Sequence, residues 1–211
     1  MNAQARRYWD AGAAALSFTH PLDLAWLAEL PKEARILDYG CGYGRTQAEL
    51  AEAGWTNSVG VDFAAGMIER GRRTHSELDL RHINSLPLDA PDGSFDAAIL
   101  FAVLTCIPDD GDQRALMDEL RRLIRPGGLI YLSDYPLQTD TRNVARYQAG
   151  VAQYGVYGVW DRDDGGVFRH HTREALDAAM LGFDLLAERD IASVTMSGSP
   201  ATVTQRLARR T

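Results

Sequence analysis

The chain has 211 residues, of which 45% are apolar, and this length and composition predict a single domain with one core. Its formal net charge of -7 argues against a nucleic-acid partner, because affinity for phosphate backbones rests on clustered lysine and arginine. We therefore expect a small-molecule substrate. The sequence has no long apolar run and no leader-like segment, which predicts a cytoplasmic protein without a membrane partner. Only two cysteines, Cys41 and Cys106, are present, so the sequence predicts no disulfide framework and no metal site.

In chain order, the first predicted element is an amphipathic helix over residues 21–30, where large apolar side chains recur near helical spacing. Short apolar runs then predict strands over residues 35–38, 58–61, 79–83, 97–101 and 129–133. Helices are predicted between them over residues 46–53, 64–74 and 113–124. A last helix over residues 173–180 precedes FDLLAERDIASV and ATVTQRLA, two extended runs around the turn-forming SGSP that predict an antiparallel hairpin.

This alternation predicts an α/β fold: a doubly wound, mostly parallel seven-stranded sheet with helices on both faces and a C-terminal antiparallel hairpin. Within one domain we expect four segments. They are an N-terminal arm and helix at 1–34, a cofactor-binding core at 35–134, a lid or substrate insertion at 135–172, and the C-terminal helix and hairpin at 173–211. Monomer and homodimer both remain open.

The stretch ILDYGCGYGR at residues 36–45 is a glycine-rich turn between a strand and a helix, the place where open α/β sheets bind ligands. A redox-dinucleotide fingerprint fails because its third glycine would fall on Arg45. A phosphate loop fails because the only lysine, Lys32, lies upstream. What remains is an acidic residue followed by alternating glycines: Asp38, Gly40, Gly42 and Gly44.

With this motif the chain resembles the class I S-adenosyl-L-methionine-dependent methyltransferases. The resemblance extends from Tyr8 to the final hairpin and includes GVDFAAGMIERG, LPLDAPDGSFDAAI and LRRLIRPGGLIYLSD. It implies that S-adenosyl-L-methionine is the cofactor and S-adenosyl-L-homocysteine the product. It also implies that the glycine loop closes against the methionine part and that Asp62 accepts hydrogen bonds from the two ribose hydroxyls, a task that suits an acceptor-only carboxylate.

The cofactor contacts that follow from the resemblance are assigned to Tyr8, Asp38, Gly40, Cys41, Gly42, Gly44, Asp62, Phe63, Met67, Asn84, Ser85 and Phe101. One position departs from the family: after the third strand related enzymes place an aspartate that meets the adenine amino group, whereas this chain has Asn84, or His82 if the alignment shifts by two residues. Met67 has a core position as its alternative. Tyr8 and Trp9 belong to an arm that either covers the cofactor or packs on the core.

Catalytic candidates follow the ends of the later strands. Asp134 and Tyr135 come directly after the fifth strand, with Asp134 as base or substrate anchor and loop capping as its alternative. His170 and His171 precede the final helix, where one is a candidate general base and the alternative is a surface or capping role. Cys106 faces either the core or the cavity. The insertion between these pairs is rich in aromatic residues, which favours a lid for a small organic acceptor: Tyr147, Tyr154, Tyr157, Trp160 and Phe168.

The function predicted is methyl transfer from S-adenosyl-L-methionine to oxygen, nitrogen or sulfur of a small molecule. Two alternatives stay open: an enzyme of the same fold with cyclising or decarboxylating chemistry, and a non-catalytic module that only binds the cofactor. Because the fold gives the cofactor and the divergent insertion gives the acceptor, the sequence does not identify the acceptor.

Overall fold

Seven strands form one sheet in the order β3-β2-β1-β4-β5-β9-β8, in a computed structural model that describes residues 3–13 and 16–211. The sheet strands are β1 (Ile36–Tyr39), β2 (Ser58–Asp62), β3 (Asp79–His82), β4 (Phe95–Phe101), β5 (Ile124–Asp134), β8 (Phe183–Val194) and β9 (Pro200–Arg210). The first five pair in parallel, whereas β9 pairs antiparallel with both β5 and β8. The predicted fold class, including the C-terminal hairpin, is confirmed.

The central strands are buried on both faces, which is why they read as continuous apolar runs rather than as alternating ones. Every residue of β1 is buried. Ile36 packs into the cluster formed with Leu27, Leu50 and Trp55, whereas Leu37 packs into the cluster on the other face of the sheet. The core therefore lies in two layers, one on each side of the parallel strands.

Helices cover both faces. They are α1 (Ala3–Gly12), α2 (Arg45–Glu52), α3 (Ala65–Thr74), α4 (Asp110–Leu123), α5 (Thr141–Tyr154) and α6 (Arg173–Ala179). The start of α4 shows why the sequence folds this way locally. The Asp109 carboxylate accepts from the Asp112 backbone N–H at 2.8 Å, a side-chain cap for an otherwise unpaired donor. Four predicted helices are confirmed to within a few residues: α2, α3, α4 and α6.

The helix predicted over residues 21–30 is wrong. The structure has only a short 3-10 helix, Leu24–Leu27, at that place. Pro31 disfavours the helical conformation at the preceding residue, and the Asp23 side chain accepts from the Ala25 backbone N–H at 3.0 Å, which begins the helical turn only after Asp23. Leu27 and Leu30 are nevertheless buried against the sheet, so the apolar pattern marks burial correctly but not conformation.

The insertion between β5 and α6 has a structure of its own. Helix α5 is followed by a two-stranded antiparallel hairpin of β6 (Val159–Asp161) and β7 (Val167–Arg169). Helix α5 was not predicted from the sequence. The helix and the hairpin touch at Gly150, where an added Cβ would lie 1.9 Å from the Val159 carbonyl oxygen. Only glycine allows the two backbones to approach this closely, so Gly150 is required for the packing of the hairpin on the helix.

We expect Gly150→Ala to destabilise the protein by about 2 kcal/mol or more, because the methyl group would overlap a backbone oxygen and overpacking of this kind forces backbone shifts. Urea denaturation would measure the loss. Ala149→Ser, at an exposed neighbouring position on α5, serves as the matched control and should change stability by less than about 0.5 kcal/mol. Equal stability of the Gly150→Ala variant and the wild type would contradict this packing.

Within residues 3–13 and 16–211, no helix is both long and apolar enough to cross a membrane. The same part of the chain contains no cluster of three histidine, cysteine or acidic side chains that could hold a metal ion.

Candidate cofactor and acceptor site

The glycine loop follows β1 at the carboxyl edge of the parallel strands. Gly40 and Gly42 have φ values of 76° and 56°, a left-handed conformation that side chains disfavour. Packing excludes side chains as well: an added Cβ would lie 2.5 Å from Val103 Cγ2 at Gly40 and 2.1 Å from Phe18 Cε2 at Gly42. The third glycine, Gly44, is the residue that precedes α2. The loop therefore brings bare backbone to the sheet edge.

Asp62 ends β2 and ties two loops together. Its Oδ2 accepts from the Gly42 backbone N–H at 2.9 Å and its Oδ1 accepts from the Ala64 backbone N–H at 2.8 Å. Burial raises the pKa of Asp62 to about 6, while these backbone donors act in the opposite direction. Each carboxylate oxygen retains a second acceptor position, so the group can hold the glycine loop and still accept from a ligand.

Asp38 is the acidic residue at the end of the apolar run in the glycine motif. It is 2% exposed, and its Oδ2 is buried without a hydrogen-bond partner among the described residues. Burial raises the pKa of Asp38 to about 7, with Arg45 acting to lower it. A buried acceptor without a donor is costly. The ammonium group of a methionine moiety would supply one, so this unpartnered acceptor fits S-adenosyl-L-methionine.

One cavity of about 1100 Å³, including its open mouth, lies between the strand ends and the insertion. Nine of the predicted site residues line it: Asp38, Gly40, Cys41, Asp62, Phe63, Met67, Phe101, Tyr135 and His170. Trp9 and Cys106 also line it, and the Cys106 thiol donates to the Ala102 carbonyl oxygen at 3.1 Å.

The remaining predicted residues do not line this cavity: Tyr8, Gly42, Gly44, Asn84, Ser85, Asp134 and His171. Gly42 and Gly44 belong to the glycine loop, where Gly42 lies against Phe18 and Gly44 precedes α2. The Tyr8 hydroxyl donates to Asp164 at 3.3 Å at the rim of the insertion. Asn84 and Ser85 are exposed, and Asn84 accepts from Arg6 of α1 through both its side chain and its carbonyl oxygen. Their contact with the adenine stays a prediction.

Asp134 and His171 are buried in the wall behind the cavity. The Asp134 carboxylate accepts from the backbone N–H groups of Tyr135 at 2.7 Å and of Thr105 at 3.2 Å. These bonds join the end of β5 to the loop after β4, a structural task, and the proposed role of Asp134 as base stays a prediction. His171 Nε2 lies 2.9 Å from the Gln113 side-chain nitrogen, so His171 holds α4.

His170 is held in the cavity wall by two tyrosines. Its ring stacks on Tyr135 with a centroid separation of 5.0 Å, and its Nδ1 lies 2.5 Å from the Tyr147 hydroxyl. That hydroxyl accepts from the Gln138 backbone N–H at 3.1 Å, which leaves its own proton for Nδ1. These partners favour the neutral tautomer with the proton on Nε2. Burial lowers the pKa of His170 to about 3.

His20 is a site residue that the sequence analysis missed. Its Nδ1 lies 2.9 Å from Ser133 Oγ and 3.2 Å from the Ser133 carbonyl oxygen, which can only accept, so Nδ1 carries the proton. Its Nε2 is buried without a partner among the described residues, and the ring lines the cavity. Burial lowers the pKa of His20 to about 4. Two neutral imidazoles of opposite tautomer therefore face one cavity.

Other missed residues come from segments far apart in the chain. They are Phe18, Arg45, Arg162, Thr195 and Met196. Phe18 stacks on Tyr43 of the glycine loop with a centroid separation of 5.1 Å. Arg45 is the last residue of the glycine motif, whereas no local motif marks the other four positions. The one local signal near His20 is Pro21, because a proline favours an extended conformation at the residue before it.

Comparison with known proteins agrees with this geometry. A family model described as a methyltransferase domain matches residues 1–187. The chain is 30% identical over 170 residues to the ribosomal protein L11 methyltransferase of Ralstonia nicotianae, an alignment that covers 79% of this chain and 54% of that protein. It is 28% identical over 179 residues to the 27-O-demethylrifamycin SV methyltransferase of Amycolatopsis mediterranei, covering 80% and 64%.

A solved structure of a SAM-dependent methyltransferase from Methanosarcina mazei matches with a TM-score of 0.84 at 22% identity, covering 90% of this chain and 99% of that one. The chain spans about half the length of the first curated relatives it matches. The family model covers most of the chain, and the solved structure shares the sheet and its helices. The chain therefore belongs to the methyltransferase domain family, and its fold is that of the class I S-adenosylmethionine-dependent methyltransferases.

Proposed function

We propose that this protein is an S-adenosyl-L-methionine-dependent methyltransferase that acts on oxygen, nitrogen or sulfur of a small organic acceptor. One observation carries the proposal: a single cavity collects Asp38 and Asp62 on the side of the glycine loop, and Tyr135, His170 and Phe168 on the side of the insertion. A donor molecule and an acceptor molecule can therefore lie next to each other in one cavity.

The cofactor side uses charge and hydrogen bonding. Asp62 would accept from the ribose hydroxyls, and Asp38 would meet the ammonium group of the methionine moiety through its unpartnered Oδ2. Phe63 and Met67, which also line the cavity, offer apolar surface for a planar base. When bound, S-adenosyl-L-methionine supplies an electrophilic methyl group on a sulfonium.

On the acceptor side, we expect the residues to contribute by orienting the acceptor toward the methyl group rather than by removing a proton from it. With pKa values of about 4 and 3, His20 and His170 are neutral near pH 7 and are weak bases. Moving a proton from a phenol of pKa about 10 to either ring would be uphill by about six pKa units or more. The His20 Nε2 acceptor and the His170 Nε2–H donor instead suit a polar group that must be oriented toward the methyl group.

A small acceptor is favoured over a macromolecule by the cavity and by the charge. Relatives include enzymes named for a ribosomal protein and for a rifamycin, so the family alone leaves the acceptor class open. The aromatic insertion covers the acceptor side of this cavity, and the net charge of -7 disfavours RNA. The cytoplasmic location stays a prediction from composition.

Calorimetric titration with S-adenosylhomocysteine tests the cofactor half of the proposal, and we expect a dissociation constant in the micromolar range. Incubation with S-adenosylmethionine tritiated in the methyl group tests the acceptor half. Label is expected in a small-molecule extract and not in ribosomes, protein or RNA. Absence of binding at millimolar S-adenosylhomocysteine would overturn the proposal, and label in protein or RNA alone would overturn its acceptor class.

A further inference from the structure

A second cavity opens on the outer side of the insertion. It encloses about 900 Å³ including its mouth and lies between α5, the β6–β7 hairpin and the turn that joins β8 to β9. Besides three aspartates, its lining consists of Arg142, Arg146, Arg162, Trp160, Thr195 and Ser197. Arg162 and Thr195 line both cavities, so the second cavity adjoins the acceptor side of the first.

Two guanidinium groups in this cavity lack a carboxylate. Arg142 and Arg146 are four residues apart on α5, a spacing at which like charges destabilise a helix. In the part of the chain that the structure describes, neither forms an ion pair. Arg142 donates to Ser199 Oγ at 2.9 Å, and Arg146 lies over the Trp160 ring at 4.9 Å. Burial, together with Arg142 and Arg162, lowers the pKa of Arg146, an effect that Tyr147 and Asp140 only partly offset.

Trp160 belongs to the same lining, and its indole carries a donor without a partner among the described residues. The side chain is 6% exposed, and its Nε1–H is buried without a hydrogen-bond partner among the described residues. A buried donor left without a partner costs about 1–3 kcal/mol. Such a donor persists at low cost when a ligand supplies the acceptor, and the acceptors that unpaired guanidinium groups bind best are carboxylate and phosphate oxygens.

Two of the three aspartates that line this cavity are bound to other partners. Asp164 pairs with Arg162 at 2.8 Å and accepts from Tyr8, and Asp161 accepts from the Tyr154 hydroxyl at 2.5 Å. Asp163 is exposed, so water and salt screen its charge. Arg142 and Arg146 therefore remain available to a ligand.

From this arrangement we propose that the second cavity is a subsite for an anionic group of the methyl acceptor, a carboxylate or a phosphate, held by Arg142, Arg146 and the Trp160 indole N–H. The proposal rests on the proposed function, because it assigns the acceptor's reacting atom to the first cavity. Arg162, between the two cavities, would contact the molecule along its length. The acceptor class is thus an acidic small molecule.

The indole N–H resonances of the four tryptophans allow a direct test, with Trp160→Phe used for assignment. Inorganic phosphate and benzoate are titrated separately at pH 7.5, with benzamide as the uncharged counterpart of benzoate. We expect the Trp160 Nε1–H resonance to move with at least one anion and not with benzamide, at millimolar affinity. Which anion moves it decides between the carboxylate and the phosphate. No movement with either anion would overturn the subsite.

Substitutions of single arginines test where the anion binds. Arg146→Gln and Arg142→Gln are each expected to weaken anion binding about tenfold or more, with an intermediate loss in Arg146→Lys, which keeps the charge and tests for misfolding. Arg114→Gln on α4 is the matched control, since this arginine is exposed and lines neither cavity. Unchanged binding in Arg146→Gln, or an equal loss in Arg114→Gln, would contradict the proposal.

Two further measurements separate the subsite from the proposed function. S-adenosylhomocysteine is titrated in parallel. Binding of the cofactor product without anion binding overturns the subsite alone, whereas anion binding without the cofactor product overturns the proposed function and leaves an anion site with no methyl acceptor. A small-molecule extract is then split on an anion exchanger before incubation with tritiated cofactor. Methyl acceptor activity is expected in the retained fraction, and activity confined to the unretained fraction would also overturn the subsite.

Discussion

Asp62→Ala is expected to weaken S-adenosylhomocysteine binding by about a hundredfold or more. Hydrogen bonds to a charged group contribute about 1.5–3 kcal/mol each, and a ribose presents two hydroxyl donors to this carboxylate. The same substitution removes the acceptor for the Gly42 and Ala64 backbone N–H groups, which are bound at 2.9 and 2.8 Å. The glycine loop then loses the tie that shapes it, so the binding loss includes a cost of ordering the loop.

Calorimetry at pH 7.5 measures this loss, and thermal unfolding separates it from misfolding. Asp62→Asn is the finer variant, because the amide retains one acceptor oxygen and should lose less affinity than alanine. Asp89→Asn provides a control of equal charge change, since Asp89 is exposed and does not line the cavity. If Asp62→Ala remained folded and bound S-adenosylhomocysteine within threefold of the wild type, the assignment of Asp62 to the ribose would be wrong.

The sheet was predictable because its signals are local. A strand buried on both faces must be apolar throughout, as β1 is, and a left-handed turn against Val103 and Phe18 must be glycine. The two acidic residues that line the cavity beside the glycine loop follow from the same locality: Asp38 lies within the glycine motif and Asp62 ends the next strand. Short-range sequence patterns therefore locate the part of the cavity that the sheet and the glycine loop build.

The half of the cavity on the side of the insertion depends on contacts between segments remote in the chain. His20 reaches the cavity through Ser133, 113 residues away, and Tyr147 orients His170 across the insertion. Asp134 follows the predicted strand, yet its carboxylate turns inward to two backbone N–H groups, which sequence position does not reveal. The sequence did not predict helix α5 because Arg142, Arg146 and Gly150 interrupt its apolar pattern. The helix packs on β6 through Gly150, a contact that the sequence does not reveal.

The affinity for S-adenosylhomocysteine is expected to rise with pH between about 5.5 and 7.5. Burial raises the pKa of Asp38 to about 7, so the carboxylate that would meet the ligand's ammonium group is largely protonated at pH 5.5 and ionises as the pH increases. Asp62, with a pKa of about 6, acts in the same direction. We expect an increase of about tenfold over this range, which calorimetry at several pH values would measure.

Asp38→Asn tests the contribution of Asp38. This variant should bind the ligand weakly and lose most of the pH dependence, whereas an affinity that is flat or falling with pH in the wild type would contradict the assignment.

The stability of the ligand-free protein should change with pH in the opposite direction to the affinity. A folded-state pKa raised from 3.8 to about 7 contributes stability that is present below pH 3.8 and lost as the pH rises through 7. The neutral His20 and His170 oppose this trend, because their pKa values are lowered and they cost stability as the pH falls below 6.5. The comparison of wild type with Asp38→Asn removes that contribution, since both proteins contain the histidines. At pH 8 without ligand, Asp38→Asn is therefore expected to be at least as stable as the wild type, because the substitution removes a charge that is costly to bury.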